Sequence, residues 1–198
     1  MKRLILASAS SVRARLLAAS GVRFEEIPAD INEDVLKQEW IEAGENLTAV
    51  AVRLAACKAR RVAATDPDAV VIGADQILSL EGEVVSKCVS RNEAESLLRR
   101  LRGRTHELVG GTVLIADGKQ LWERIDVNRM VMREFSDGFL EDYLTRAGAA
   151  LLQSVGCYEF EALGAQLFER VEGEFFSILG LPLLPLLAEL RDHGVLAR

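Results

Sequence analysis

Two long runs, Thr105 to Ala116 and Gln120 to Glu134, meet at Asp117-Gly118-Lys119 and read as long strands. Strands joined by so short a connection run antiparallel, because a parallel return needs a crossover of a dozen residues or more. Around this pair, strands and helices mix without strict alternation. Leu4-Ile5-Leu6 reads as a short buried strand, Val22 to Ile27 as a second, and the apolar run Ala69 to Gly73 as a central one. Gln76 to Leu80 and Glu83 to Ser86 flank Glu81-Gly82 as a hairpin, and a further strand is expected around Gln166 to Val171. Helices are expected after Ser10 or Ser11, with Val12, Leu16 and Ala19 on one face. Others are expected over Glu33 to Ala43 and Leu47 to Ala64, after the capping box that begins at Ser90, after Ser136, and from Pro182. The fold class predicted is mixed α/β (α+β), not a doubly wound sheet.

The chain has 198 residues, 49% of them hydrophobic and 27% charged, enough for one large domain or two joined lobes with a real core. A formal net charge of −6 argues against non-specific duplex binding, so no nucleic acid polymer is expected as a partner. The three cysteines, Cys57, Cys88 and Cys157, are too few and too widely spaced for a disulfide framework or a zinc cluster. They suit a reducing compartment. The opening residues resemble a signal peptide only until Arg13 and Arg15 interrupt the apolar stretch. No run approaches 18 apolar residues, so no membrane partner is expected.

Three groups of residues suit phosphate chemistry. In the strand-to-helix turn Leu6-Ala7-Ser8-Ala9-Ser10-Ser11-Val12-Arg13, a helix N-terminus offers free N–H groups, Ser8 and Ser10 add hydroxyls, and Arg13 adds a guanidinium able to grip phosphate. The other account of this turn is a capped helix with a solvated arginine. Asp75, after Val70-Val71-Ile72-Gly73-Ala74, sits at the C-terminal end of an apolar run, where ligands approach many open sheets. It could coordinate a divalent ion or take a proton from water, or simply cap a turn. Lys58, Lys87 and Arg104 are scattered cations, each of which could be a solvated surface charge. Glu33 could supply a second metal carboxylate, or be an ordinary helix-start acid. His106 reads as a strand residue and His193 as exposed, and Cys88 lacks an activating partner.

Taken in order, these pieces resemble the Maf family of nucleoside triphosphate pyrophosphatases over nearly the whole chain. Leu4-Ile5-Leu6-Ala7-Ser8-Ala9-Ser10 with Arg13 and Leu16-Leu17 is similar to the family's L-A-S-x-S-P-R-R-x-x-L-L opening. Leu54-Ala55-Ala56-Cys57-Lys58-Ala59, Ile72-Gly73-Ala74-Asp75, Gly103-Arg104-Thr105-His106 and Gly180-Leu181-Pro182-Leu183 match its L-A-x-x-K-A, I-G-A-D, G-R-T-H and G-L-P-L segments. The resemblance implies a single domain over residues 1–198, with an elongated, largely antiparallel sheet and two lobes with a cleft between them. It implies cleavage between the α- and β-phosphates of a nucleoside triphosphate with Mg²⁺ or Mn²⁺, in the cytoplasm, by a chain that can form a homodimer. By the same resemblance, Asp75 is the catalytic proton acceptor and a metal ligand with Glu33. Ser8, Ser10, Arg13, Lys58 and Lys87 surround the phosphates.

Substrate choice can be read one step further. Gln76 after Asp75, Glu161, and the run Gln166 to Gly173 look like the branch that hydrolyses 7-methyl-GTP, with Val12 standing where that branch has an aromatic. A carboxylate such as Glu161 accepts hydrogen bonds from guanine N1–H and the exocyclic amine, an edge that uracil and thymine lack. The cationic methylated base also favours a nearby anion or aromatic face. Ser11, Ala14, Asn32 and Cys88 depart from the family pattern. The alternatives are a dTTP/UTP pyrophosphatase of the same family, and a nucleotide-binding regulator of septum formation without turnover.

Overall fold

The computed structural model describes residues 2–197. Its strands are β1 (Leu4–Leu6), β2 (Glu25–Glu26), β3 (Val70–Leu80), β4 (Glu83–Val85), β5 (Thr105–Ala116), β6 (Lys119–Met132) and β7 (Phe168–Glu172). Its helices are α1 (Ser11–Ala19), α2 (Glu33–Glu42), α3 (Leu47–Ala63), α4 (Arg91–Leu101), α5 (Asp137–Ala147), α6 (Phe175–Ile178) and α7 (Leu183–Asp192). Among the described residues the strands form one mixed sheet in the order β2-β1-β3-β5-β6-β7, with β4 also pairing β3. Strand β1 runs parallel to β2 and β3, whereas β4 and β7 run antiparallel to their partners. The hairpin turns have the chemistry a two-residue connection demands. Glu81-Gly82 and Asp117-Gly118 all adopt positive φ, between 53° and 86°.

The chain forms two compact units. One comprises the residues up to Gln76, Val109–Asp126 and the segment from Glu174 onward; the other comprises Ile77–Leu108 and Val127–Gly173. In the first unit the period-2 alternation of β1 and β3 divides the core into two layers. Leu4, Leu6, Val70, Ile72 and Ala74 pack with Ala14 and Leu17 of α1 and Leu183, Leu186 and Leu190 of α7. Ile5, Ala7, Val71, Val113 and Ile115 pack against Ala55, Ala56, Ala59 and Val62 of α3. Two glycines bring that helix unusually close. A Cβ at Gly73 of β3 would lie 2.1 Å from the Ala55 carbonyl oxygen, and one at Gly111 of β5 would lie 2.5 Å from the Ala51 carbonyl carbon.

Several expectations are corrected. The run expected to end at Gly73 continues, so that β3 is an 11-residue strand with Asp75 in its middle, not at its end. The pairing with β1 stops at Ile72, and the Ala74 carbonyl accepts from the Arg13 side chain instead. In α1 the buried residues are Arg13, Ala14 and Leu17, not Val12, Leu16 and Ala19, because buried carbonyls satisfy Arg13. The strand expected over Val22 to Ile27 shrinks to Glu25–Glu26, both exposed. Pro182 precedes α7 as its N-cap, and α6 was not anticipated. No helix among the described residues is long and apolar enough to cross a membrane.

The second unit buries a polar contact in an aromatic cluster. His106, 1% exposed on β5, lies 2.7 Å through Nε2 from the Tyr158 hydroxyl, and Tyr158 packs edge-on to Phe168. His106 Nδ1 is buried with no hydrogen-bond partner. Burial pulls the imidazole pKa from 6.5 down to about 4, so His106 is neutral in the folded protein at pH 7. Between those values the unfolded chain takes up the proton first. The stability that depends on a neutral His106 is therefore full above about pH 6.5, and about 3 kcal/mol of it is lost as the pH drops toward 4. Urea unfolding of wild type and His106→Gln across this window should show a shallower pH slope for the variant. Gly73→Ala tests the helix–sheet approach: it should cost at least about 2 kcal/mol in the same assay.

Candidate functional site

Position along β3 assigns each side chain a face. Val71, Gly73 and Asp75 point toward α3, while Ile72 and Ala74 point toward α1 and α7. On α3, Lys58 follows Val50 and Leu54 at four-residue intervals, which places it on the helix's buried stripe. The close approach at Gly73 then sets this lysine over Asp75, where the Nζ atom donates to Asp75 Oδ1 at 2.6 Å. The same ammonium lies 2.7 Å from Glu33 Oε2, on the first turn of α2. That helix starts at Glu33 because the Asn32 side chain caps it, accepting from the Val35 N–H. Lys58 and Asp75 are almost fully buried, and the Glu33 side chain remains 45% exposed.

On the other face of β3 the α1 turn builds a second polar knot. Ser10 caps α1 by accepting from the Arg13 N–H, and its own N–H donates to Ser8 Oγ. Arg13, 8% exposed, donates from Nε to the Gly180 carbonyl at 2.8 Å, and from Nη1 to Ser8 Oγ and the Ala74 carbonyl, both at 3.0 Å. Burial lowers the guanidinium's pKa from its ordinary value, opposed by the nearby Asp75 and Glu33 carboxylates. Gln76, half-buried, donates from Nε2 to the Ser177 and Ile178 carbonyls at 3.0 and 3.2 Å. Arg13 and Gln76 thus both hold the segment around Gly180 against β3.

Of the residues singled out in the sequence, Ser8, Ser10, Arg13, Glu33, Lys58, Asp75 and Gln76 all belong to the first unit, and half-buried Val12 lies on α1 beside them. Lys87 and Glu161 belong to the second unit and are exposed there. Lys87 follows β4. Arg104 is an exposed residue of the second unit, paired with Glu81 at 3.5 Å. The Lys58 bridge, the Arg13–Gly180 bond and the Gln76–Ser177 bond were not read from the sequence. Only the position of Lys58 on an apolar stripe signalled any of them.

Among the described residues there is no group of three His, Cys, Asp or Glu side chains that could cage a metal. A Mg²⁺-type site needs no cage, since such ions keep several waters and bind through one or two carboxylates plus substrate phosphates. Glu33 and Asp75 fit that requirement: they are oxygen donors from separate elements, and both already face one cation, the Lys58 ammonium.

A family model described as Maf-like protein matches residues 3–193. A nucleoside triphosphate pyrophosphatase of Maricaulis maris is 47% identical, with 99% of each chain covered. One of Granulibacter bethesdensis is 46% identical, with 98% of each covered. A 7-methyl-GTP pyrophosphatase of Mesorhizobium japonicum is 44% identical, again with 98% of each covered. The chain therefore belongs to the Maf-like family, a family of nucleoside triphosphate pyrophosphatases, which are hydrolases.

Removing one partner of a buried ion pair leaves the other charge uncompensated. Lys58→Met should therefore lower stability by about 3 kcal/mol. In an Asp75→Asn background the same substitution should cost clearly less, measured as a double-mutant cycle by urea unfolding.

Proposed function

We propose that this chain hydrolyses a nucleoside triphosphate to its monophosphate and pyrophosphate in the presence of Mg²⁺ or Mn²⁺, with 7-methyl-GTP as preferred substrate. The observation that supports the reaction best is the buried Asp75–Lys58 pair, joined by the half-exposed Glu33 carboxylate and with Arg13 nearby. Buried charge of this kind costs stability unless every member is paired, and packed apolar residues would serve the fold as well.

In this reading a water attacks the α-phosphorus, the bond to the bridging oxygen breaks, and pyrophosphate leaves. Asp75 orients that water and accepts its proton. Before metal and substrate arrive, Lys58 holds the Asp75 carboxylate in place through the bond at 2.6 Å. A divalent ion held by Asp75 and Glu33 would neutralise charge on the phosphate oxygens. Ser8, Ser10 and Arg13 supply donors and positive charge to the phosphate chain. Catalysis is then positioning and electrostatics, and needs no covalent nucleophile.

The preference for 7-methyl-GTP is supported by the name of the Mesorhizobium japonicum relative and by Glu161, which can accept from the guanine N1–H and amine. Gln76 contributes through the segment it holds, since its amide nitrogen is engaged by the Ser177 and Ile178 carbonyls.

Pyrophosphate release over a panel of nucleotides with Mg²⁺ or Mn²⁺ tests both parts. Turnover of 7-methyl-GTP should exceed that of dTTP and UTP. Much faster turnover of the pyrimidine nucleotides would assign the chain to that branch, and tight binding without product would make it a regulator. Asp75→Asn should keep the fold and lower kcat by at least about 100-fold, and a folded variant that works at the wild-type rate removes Asp75 from the mechanism. Glu161→Gln should reduce kcat/KM for 7-methyl-GTP about 10-fold or more while changing that for UTP little.

A further inference from the structure

The Lys58 ammonium occupies the point where two carboxylates from different elements converge. Its Nζ is 2.6 Å from Asp75 Oδ1 on β3 and 2.7 Å from Glu33 Oε2 on α2. We propose that Lys58 is an internal counter-cation that competes with divalent metal for this seat, so that metal enters only by exchange with the lysine. The inference rests on the metal-dependent reading above and specifies how this chain regulates it.

Three observations support the exchange. First, the two acids would repel each other across an empty seat, and the ammonium neutralises that repulsion in the resting protein. A divalent ion bound by both acids would face the ammonium at contact distance, so the two cations exclude each other. Second, no third acidic or imidazole ligand among the described residues completes a cage, so the seat holds metal weakly unless a polyphosphate adds its own oxygens. Third, the exposure is unequal. The Lys58 and Asp75 side chains are 6% and 10% exposed, whereas Glu33 is 45% exposed and offers the side from which solvent ions arrive. Lysine suits this role because its ammonium rides on a flexible four-carbon stem and can withdraw without moving the helix. A withdrawn ammonium has lost both carboxylates, and phosphate oxygens are the partner that replaces them.

The test is Mn²⁺ binding to the full chain without nucleotide, by calorimetry and by the electron spin resonance signal of free Mn²⁺. Wild type should bind weakly. Lys58→Met should bind Mn²⁺ at least 10-fold more tightly, and Mn²⁺ should raise its Tm more than that of wild type. Lys58→Arg keeps a cation in the seat and should stay as weak as wild type. Adding Glu33→Gln to Lys58→Met should abolish the gain. Where Lys58→Met does not fold, Lys58→Gln is read in the same way. Equal or weaker Mn²⁺ binding by the neutral variants overturns the exchange, as does a gain that survives the loss of Glu33. Because no nucleotide is present, such a failure leaves the substrate panel standing. A gain in Mn²⁺ binding beside a silent panel would instead uphold the exchange and sink the substrate assignment.

Discussion

The backbone of α3 lies directly against the sheet at Gly73 and Gly111, where any side chain would collide with the helix main chain. This contact sets how far the tip of Lys58 reaches from its helix, and it reaches Asp75, two residues past Gly73 on the same face of β3. The alanines of α3, among them Ala55, Ala56 and Ala59, keep the helix surface smooth enough to allow it. The pairing of β1 stops at Ile72, which leaves the next stretch of β3 open to side chains from α1.

The charges inside this unit do not make the fold more stable than apolar packing would. A buried ion pair recovers in Coulomb energy only part of what desolvation costs, so its value lies in where it holds the groups. Lys58 ties α2, α3 and β3 to one point. Arg13 ties α1, β3 and the Gly180 loop to another. The two knots lie on opposite faces of one strand because strand side chains alternate, and this is how adjacent residues, Asp75 and Gln76, come to serve different tasks. Asp75 engages an ammonium, while Gln76 secures a backbone segment. In the second unit His106 plays no comparable part. Its neutral ring is a buried partner of Tyr158 inside an aromatic cluster.

Much of the architecture was legible because local signals and tertiary packing agree. The caps at Ser10, Ser90 and Ser136 each accept from a backbone N–H three residues on, and the hairpin turns at Glu81-Gly82 and Asp117-Gly118 stand where the residue types require them. The two disagree at two places. In α1 an arginine occupies the buried face, whereas periodicity counts arginine as outward-facing. In β3 a carboxylate, by residue type a strand boundary, stays in the middle of the strand because a lysine on the facing helix pairs with it.

The amino-acid order alone determined the mixed class of the fold, most element positions, and the family through five short segments in register. These are local or linear properties, carried by turn chemistry, capping and spacing along the chain. Which face of α1 is buried, that one ammonium serves two acids, and that Gln76 spends its amide on Ser177 and Ile178 were decided only by tertiary structure. The partners in those contacts stand up to 102 residues apart, and no periodicity reports a distance between side chains that meet only when helices settle onto a sheet.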